Sequence, residues 1–244
     1  MSSITWTPKE VASSATPLRF SLWRAVEGQH VAATLRLVDG LDEQHVLEEL
    51  LEQHKPAVPP EARGLHYLLF TPFRYPSPSG SRFRGPTDPG VFYGADLRRT
   101  ACAEVAYWRW RFLQDSAGLR ALGRLGPVPH TLFRTDVEGA GIDLRRPPLL
   151  RDCALWTDPF DYSHTQALGR LARGVALGIV RYESVRDPQA GGCAAILRPD
   201  TFRSGRLNVR ETWFLTVTHT AASWQSERAS FEFQTSHAHW AAPS

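Results

Sequence analysis

Apolar positions recur at helical spacing between Asp42 and Leu51, where Val46, Leu47, Leu50 and Leu51 form one face of an amphipathic segment. Pro56 and the Pro59-Pro60 pair end it. The run Leu65-His66-Tyr67-Leu68-Leu69-Phe70 reads as β-prone, and a loop dense in Pro, Ser and Gly follows from Pro72 to Ser81. Pro89-Gly90 signals a turn into a short strand around Val91-Phe92-Tyr93. Thr100 then predicts an N-cap for a helix from Ala101 to about Leu113. That placement sets Glu104 in the first turn, with Trp108 on the same side and Arg111 three residues further on.

In the second half, Pro127 and Pro129 break any regular element, and Leu132 to Val137 reads as a strand. Pro147-Pro148 interrupts the chain beyond that strand. Asp161-Tyr162-Ser163-His164-Thr165-Gln166 leads into a helix carrying Ala167, Leu168, Leu171 and Ala172. A buried strand from Ala176 to Val180 delivers Arg181-Tyr182-Glu183-Ser184 to its end. Trp213 to Val217 and Phe231 to Phe233 have the pattern of β-hairpin material. Helices and strands mixed without regular alternation predict an α+β fold.

Composition narrows the classes. The 244 residues are 42% hydrophobic and 22% charged, with a formal net charge of +3, as in a soluble globular enzyme. Of the 28 basic residues only Lys9 and Lys55 are lysines. Genomic codon bias accounts for such a ratio; so does a use of arginine as a planar fork for phosphate. Cys102, Cys153 and Cys193 are odd in number and far apart, which argues against a disulfide framework and a paired-cysteine zinc site. Neither a signal peptide nor an apolar run of membrane-spanning length is visible, so a cytoplasmic location is expected. The small net charge, without a basic run, sets nucleic-acid binding aside.

The common nucleotide and hydrolase motifs are missing: no G-x-G-x-x-G follows a strand, and there is no P-loop and no G-x-S-x-G elbow. His237 and His239 are spaced for a metal, yet they sit in a tail, and no metal site is expected. Arg74, Arg82 and Arg84 fall in the Pro/Ser/Gly loop. Two such guanidinium groups can grip a diphosphate bidentately, or they can form surface ion pairs of little value. Tyr75 and Tyr93 suit core edges, the commoner outcome for such a pattern, or stacking platforms for a flat ring. Glu104 lies among Ala101, Cys102, Ala103, Val105 and Ala106. A carboxylate there serves the helix dipole, or steadies the positive charge that grows on a sugar carbon as a glycosidic bond breaks.

Six segments in order resemble the RES domain family: Phe73-Arg74-Tyr75, Ser81-Arg82-Phe83, Gly90 to Ala95, Thr100 to Glu104, Asp161 to Gln166 and Arg181 to Arg186. The resemblance spans roughly Leu65 to Phe202. It implies an ADP-ribosyltransferase-like split β core with surrounding helices over 65–215, an N-terminal extension over 1–64 that is partly helical, and a C-terminal β-hairpin and tail over 216–244. It further implies the toxin of a bacterial toxin–antitoxin pair, an enzyme that cleaves the nicotinamide–ribose bond of NAD+ by phosphorolysis or hydrolysis. Protein ADP-ribosylation is the alternative outcome. NAD+ is then a substrate and no resident cofactor is expected; the expected partners are NAD+, inorganic phosphate and an Xre-type antitoxin, with a homo-oligomer also admitted. Carried over by position, Arg74 and Arg82 would hold the phosphates, Tyr75 and Tyr93 would shape the nicotinamide–ribose pocket, and Glu104 would be the catalytic carboxylate. Ser163 and Ser184 both stand where the family serine is expected.

Overall fold

The longest pairing in the molecule joins β1 (Thr16–Glu27) to β3 (Arg124–Asp143), antiparallel from Thr16 opposite Gly141 to Glu27 opposite His130. The computed structural model describes residues 5–28, 42–43, 55–75, 78–236 and 240. Asp42 and Glu43 are helical. The rest of the expected 42–51 helix, like His237 and His239, lies outside the described residues.

Six further strands complete one sheet: β2 (Phe92–Ala95), β4 (Ile179–Glu183), β5 (Gly192–Ile196), β6 (Val209–Thr218), β7 (Ala221–Gln225) and β8 (Ser230–Gln234). Their order is β1-β2-β5-β4-β3-β6-β7-β8, and the extra β1–β3 pairing closes β1, β2, β5, β4 and β3 into a circuit. The β3–β4 pairing is parallel and the others are antiparallel. The circuit is thinnest between β1 and β2, where a single residue pair, Trp23 and Ala95, is in register.

The helices are α1 (Pro8–Ser13), α2 (Tyr67–Arg74), α3 (Arg98–Asp115), α4 (Ala117–Leu122), α5 (Cys153–Trp156) and α6 (Ser163–Gly174). The expected α+β class is the class found. Both faces of the sheet are covered, as the alternation in β5 shows. Cys193 and Ala195 join a core with Trp156 of α5 and with Leu168 and Ala172 of α6. Ala194 and Ile196 face Leu22, Leu69, Phe92 and Phe133. Small residues on α3, including Cys102, Ala103 and Ala106, let it sit close on Trp213, Leu215, Trp224 and Phe233 of the β6–β8 meander. The indole of Trp224 donates to the Cys102 carbonyl at 3.1 Å, so its burial strands no donor.

Several local expectations are corrected. Residues 67–74 form α2 rather than a strand: Leu68, Leu69 and Phe73 turn one face to the core, and the His66 ring accepts from the Leu68 amide at 3.2 Å. A short apolar run carries too few residues to separate the two periods. Pro127 and Pro129 do not end β3, because a register shift between Leu125 and Val128 absorbs Pro127 while Pro129 pairs with Phe214. Residues before 64 supply β1, which is integral to the sheet, and β6 runs across the expected boundary at residue 215.

Two histidines set a pH dependence. Burial pushes both His66 and His130 below the ordinary value of 6.5; the Nδ1 of His130 sits 2.9 Å from the Val128 carbonyl and its ring packs on Trp224. The unfolded chain takes up these protons near pH 6.5 and the folded chain resists them, so stability falls as pH drops below that value. The melting temperature is therefore expected to decline between about pH 7 and pH 5, which calorimetry checks directly.

Candidate active site

Helix α3 begins at Arg98, two residues before Thr100, and no side chain caps it. Thr100 is buried, and its hydroxyl donates to Asp187 at 2.8 Å instead of capping the helix. Glu104 therefore stands in the second turn, beyond the strongest part of the helix dipole. Its partner is Ser184, just past the end of β4, whose hydroxyl donates to Glu104 Oε1 at 2.6 Å. Ser184 Oγ in turn accepts the backbone N–H of Arg186 at 3.2 Å and of Asp187 at 3.0 Å. With two donors pointing in, the one proton of Ser184 is committed to the carboxylate.

Glu104 lines a cavity of about 480 Å³ at the β1–β2 seam, within the size range of small-molecule sites. The seam contributes Trp23, Arg24 and Ala25 from β1 and Tyr93, Gly94 and Ala95 from β2. Helix α3 contributes Ala101, Glu104, Val105 and Trp108. Trp108 is 55% exposed although it borders the cavity. A side chain at Gly94 would press on Leu22 and the Trp23 carbonyl, so glycine there keeps the strands close without filling the seam. Tyr182 and Cys193 form the floor, and burial raises the ionisation of both far above the ordinary range, so they stay neutral.

The remaining wall comes from residues 79–82 and Tyr162. Tyr93 anchors that loop: its hydroxyl lies 2.7 Å from Ser81 Oγ and accepts the Phe83 amide at 3.0 Å. Gln166 of α6 donates to the Ser81 carbonyl at 3.1 Å, and a side chain at Gly169 would collide with the Phe83 carbonyl. Arg82 is 8% exposed, with its guanidinium 4.5 Å over the Tyr162 ring. Its Nη1 holds the carbonyls of Trp156 and Asp158, each at 2.9 Å. Its Nη2 is buried with no partner.

The structure thus brings Glu104, Ser184, Arg82 and Tyr93 to one place. It does not bring Arg74, Tyr75 or Ser163 there. Arg74 ends α2, donates to the Pro56 carbonyl and lies 5.7 Å from the Tyr75 ring. Tyr75 is exposed, and Ser163 opens α6 with its amide on Asp161 at 2.8 Å. None of the three lines the cavity. Sequence reasoning missed Arg24, whose side chain reaches the Tyr93 carbonyl at 3.5 Å and the Phe92 ring at 4.5 Å. Burial lowers its pKa to about 10, which leaves it charged at neutral pH. Of the two arginines in β1, Arg24 alone falls in phase with Leu18, Phe20, Leu22 and Val26, and that was the one signal for it.

Arginine also has a structural use that composition did not suggest. Arg98 stacks on Trp23, Arg181 on Phe20 and Arg186 on Tyr107, at 4.1, 4.1 and 3.6 Å from the ring centres. All three cysteines are free. Among the described residues no cluster of His, Cys, Asp and Glu could hold a metal ion, and no helix is long and apolar enough to cross a membrane.

Comparison with known proteins adds a family to this geometry. No curated protein matches the sequence. Among solved structures, the chain is similar to one from the crystal structure of the M. tuberculosis MbcT–MbcA toxin–antitoxin complex. The TM-score is 0.49 and the identity 17%, covering 84% of this chain and 88% of that one. The RES domain model matches residues 58–218, a span that holds Arg82, Tyr93, Glu104 and Ser184 and leaves out the strand that carries Arg24. With well over half of its length matched, the protein belongs to the RES domain family.

Proposed function

We propose that this protein cleaves the nicotinamide–ribose bond of NAD+. The observation that carries the reading is Glu104, a carboxylate pinned by Ser184 in the wall of a cavity that the buried Arg82 also lines. Arg82 takes the phosphates; Arg74, expected beside it, is engaged at the Pro56 carbonyl and does not line the cavity. Tyr93, Tyr162 and Trp108 offer aromatic faces to the flat rings of the dinucleotide. Glu104 accepts from ribose hydroxyls and stabilises the oxocarbenium-like charge on C1′. The C1′–N bond electrons pass to the pyridinium nitrogen, so nicotinamide departs neutral and needs no general acid. Phosphate or water then attacks C1′ and releases a proton to solvent.

Incubating the purified chain with NAD+, with and without phosphate, tests this by product mass. Unchanged NAD+ under every condition overturns it, and label appearing on protein identifies the ADP-ribosyltransferase alternative. Arg82→Lys is expected to raise KM for NAD+ about tenfold, the size of one lost charge-assisted hydrogen bond. A lysine keeps the charge but lacks the planar fork that lets one nitrogen hold both carbonyls while a second stays free. Steady-state kinetics alongside a melting curve separates that effect from misfolding. The family resemblance extends the proposal to a cytoplasmic toxin neutralised by an Xre-type antitoxin, for which co-purification with the product of an adjacent reading frame is the check.

A further inference from the structure

A second cleft, of about 240 Å³, lies on the α2 side of the sheet and shares Arg24 with the first. Strand register builds it. Arg24 of β1 is opposite Phe133 of β3, which is opposite Arg210 of β6. Directly paired residues project from the same face, so the two arginines flank Phe133 with their Cα atoms about 10 Å apart. The next row on that face is Val26, Thr131 and Thr212, and α2 closes the cleft with Tyr67, Leu68 and Thr71.

The charges of this cleft are unmatched. Among the described residues its one carboxylate, Glu27, is paired with Arg109, and the adjacent Glu211 is held by Arg98 at 2.6 Å and by the Trp213 indole at 2.9 Å. Neither Arg24 nor Arg210 has a carboxylate within ion-pair distance among the described residues. His130 in the wall is neutral at pH 7 because burial holds it below its ordinary value, so it adds no charge of either sign. Two like charges two strands apart on one face repel, and an anion between them converts that repulsion into two attractions. The volume suits a tetrahedral oxyanion and is half that of the cavity holding Glu104.

We propose that this cleft binds a phosphate-type oxyanion between the guanidinium groups of Arg24 and Arg210. The inference does not depend on NAD+ cleavage, because it is read as binding alone. Titrating inorganic phosphate into the full chain by calorimetry, against sodium chloride of equal ionic strength, should show saturable binding. Arg210→Gln, at an exposed strand position where folding is not at stake, should weaken it about tenfold or more. Arg82→Gln, in the other cavity, should leave it unchanged. Absence of saturable phosphate binding overturns the proposal, as does a loss in Arg82→Gln equal to or greater than that in Arg210→Gln. An arm with adenosine monophosphate identifies the source: tighter binding than inorganic phosphate marks a nucleotide phosphoryl group as the occupant, and equal or weaker binding marks free phosphate.

Discussion

Replacing Glu104 with Gln is expected to slow the proposed NAD+ cleavage about 100- to 1,000-fold while the protein stays folded, the loss typical of removing one preorganised electrostatic group. The substitution keeps the side chain's shape and leaves an amide oxygen to accept from Ser184 Oγ, so packing and the 2.6 Å hydrogen bond survive. What disappears is the negative charge that would face C1′ as it becomes cationic. Product formation by chromatography gives the rate, and a melting curve confirms the fold. Full activity in Glu104→Gln sinks the assigned role. Ser184→Ala makes a useful contrast. It removes the donor to Glu104 and also leaves the amides of Arg186 and Asp187 without their acceptor, so it should cost stability of about 1–3 kcal/mol as well as rate.

Asp187→Ala carries the largest expected effect on stability, about 3–5 kcal/mol, the usual cost of breaking a buried ion pair from one side. Asp187 is 4% exposed and joins the β4–β5 connection to the start of α3. It accepts from Arg99 and from the Thr100 hydroxyl, and it receives the Gln189 amide at 3.1 Å. Removing it strands a partly buried guanidinium and a buried hydroxyl at once. For a chain of this size the melting temperature should fall by roughly 6–20 °C. Activity should fall with it, because Ser184 and Asp187 belong to one turn that sets the distance from Glu104 to β4. An unchanged melting temperature would show that Arg99 and Thr100 find other partners.

Much of the site was legible before any fold was known, but in pieces. Glu104, Arg82 and Tyr93 stood out because arginine, tyrosine and a carboxylate among small residues suit a nucleotide. The ordered segments joined them to Ser184, 80 residues beyond Glu104. Which serine meets Glu104 was not legible: Ser163 and Ser184 sit in equally good segments, and the fold brings Ser184 to the carboxylate. Arg74 looked as free as Arg82 in a Pro- and Gly-rich loop. It proved to be the last residue of a helix, because Leu68, Leu69 and Phe73 needed one face to bury.

Local chemistry determined the element types where long patterns existed. Helix α6 follows from the spacing of Leu168, Leu171 and Ala172 and the β6–β8 meander from its aromatic residues, whereas β4 begins only at Ile179, takes two residues of the expected Ala176–Val180 run and extends through Arg181, Tyr182 and Glu183. Three matters were settled only by the tertiary structure. The N-terminal residues became a central strand, since an extended segment gains its hydrogen bonds from partners more than a hundred positions away. The prolines at 127 and 129 were tolerated because a bulge opposite β6 removes the need for one donor. Arg24, inconspicuous in the sequence, became a wall of two cavities because strand register carried it to the seam of the sheet. Side-chain type is a local property and names the chemistry at hand; convergence is set by long-range pairing, and no window along the chain contains it.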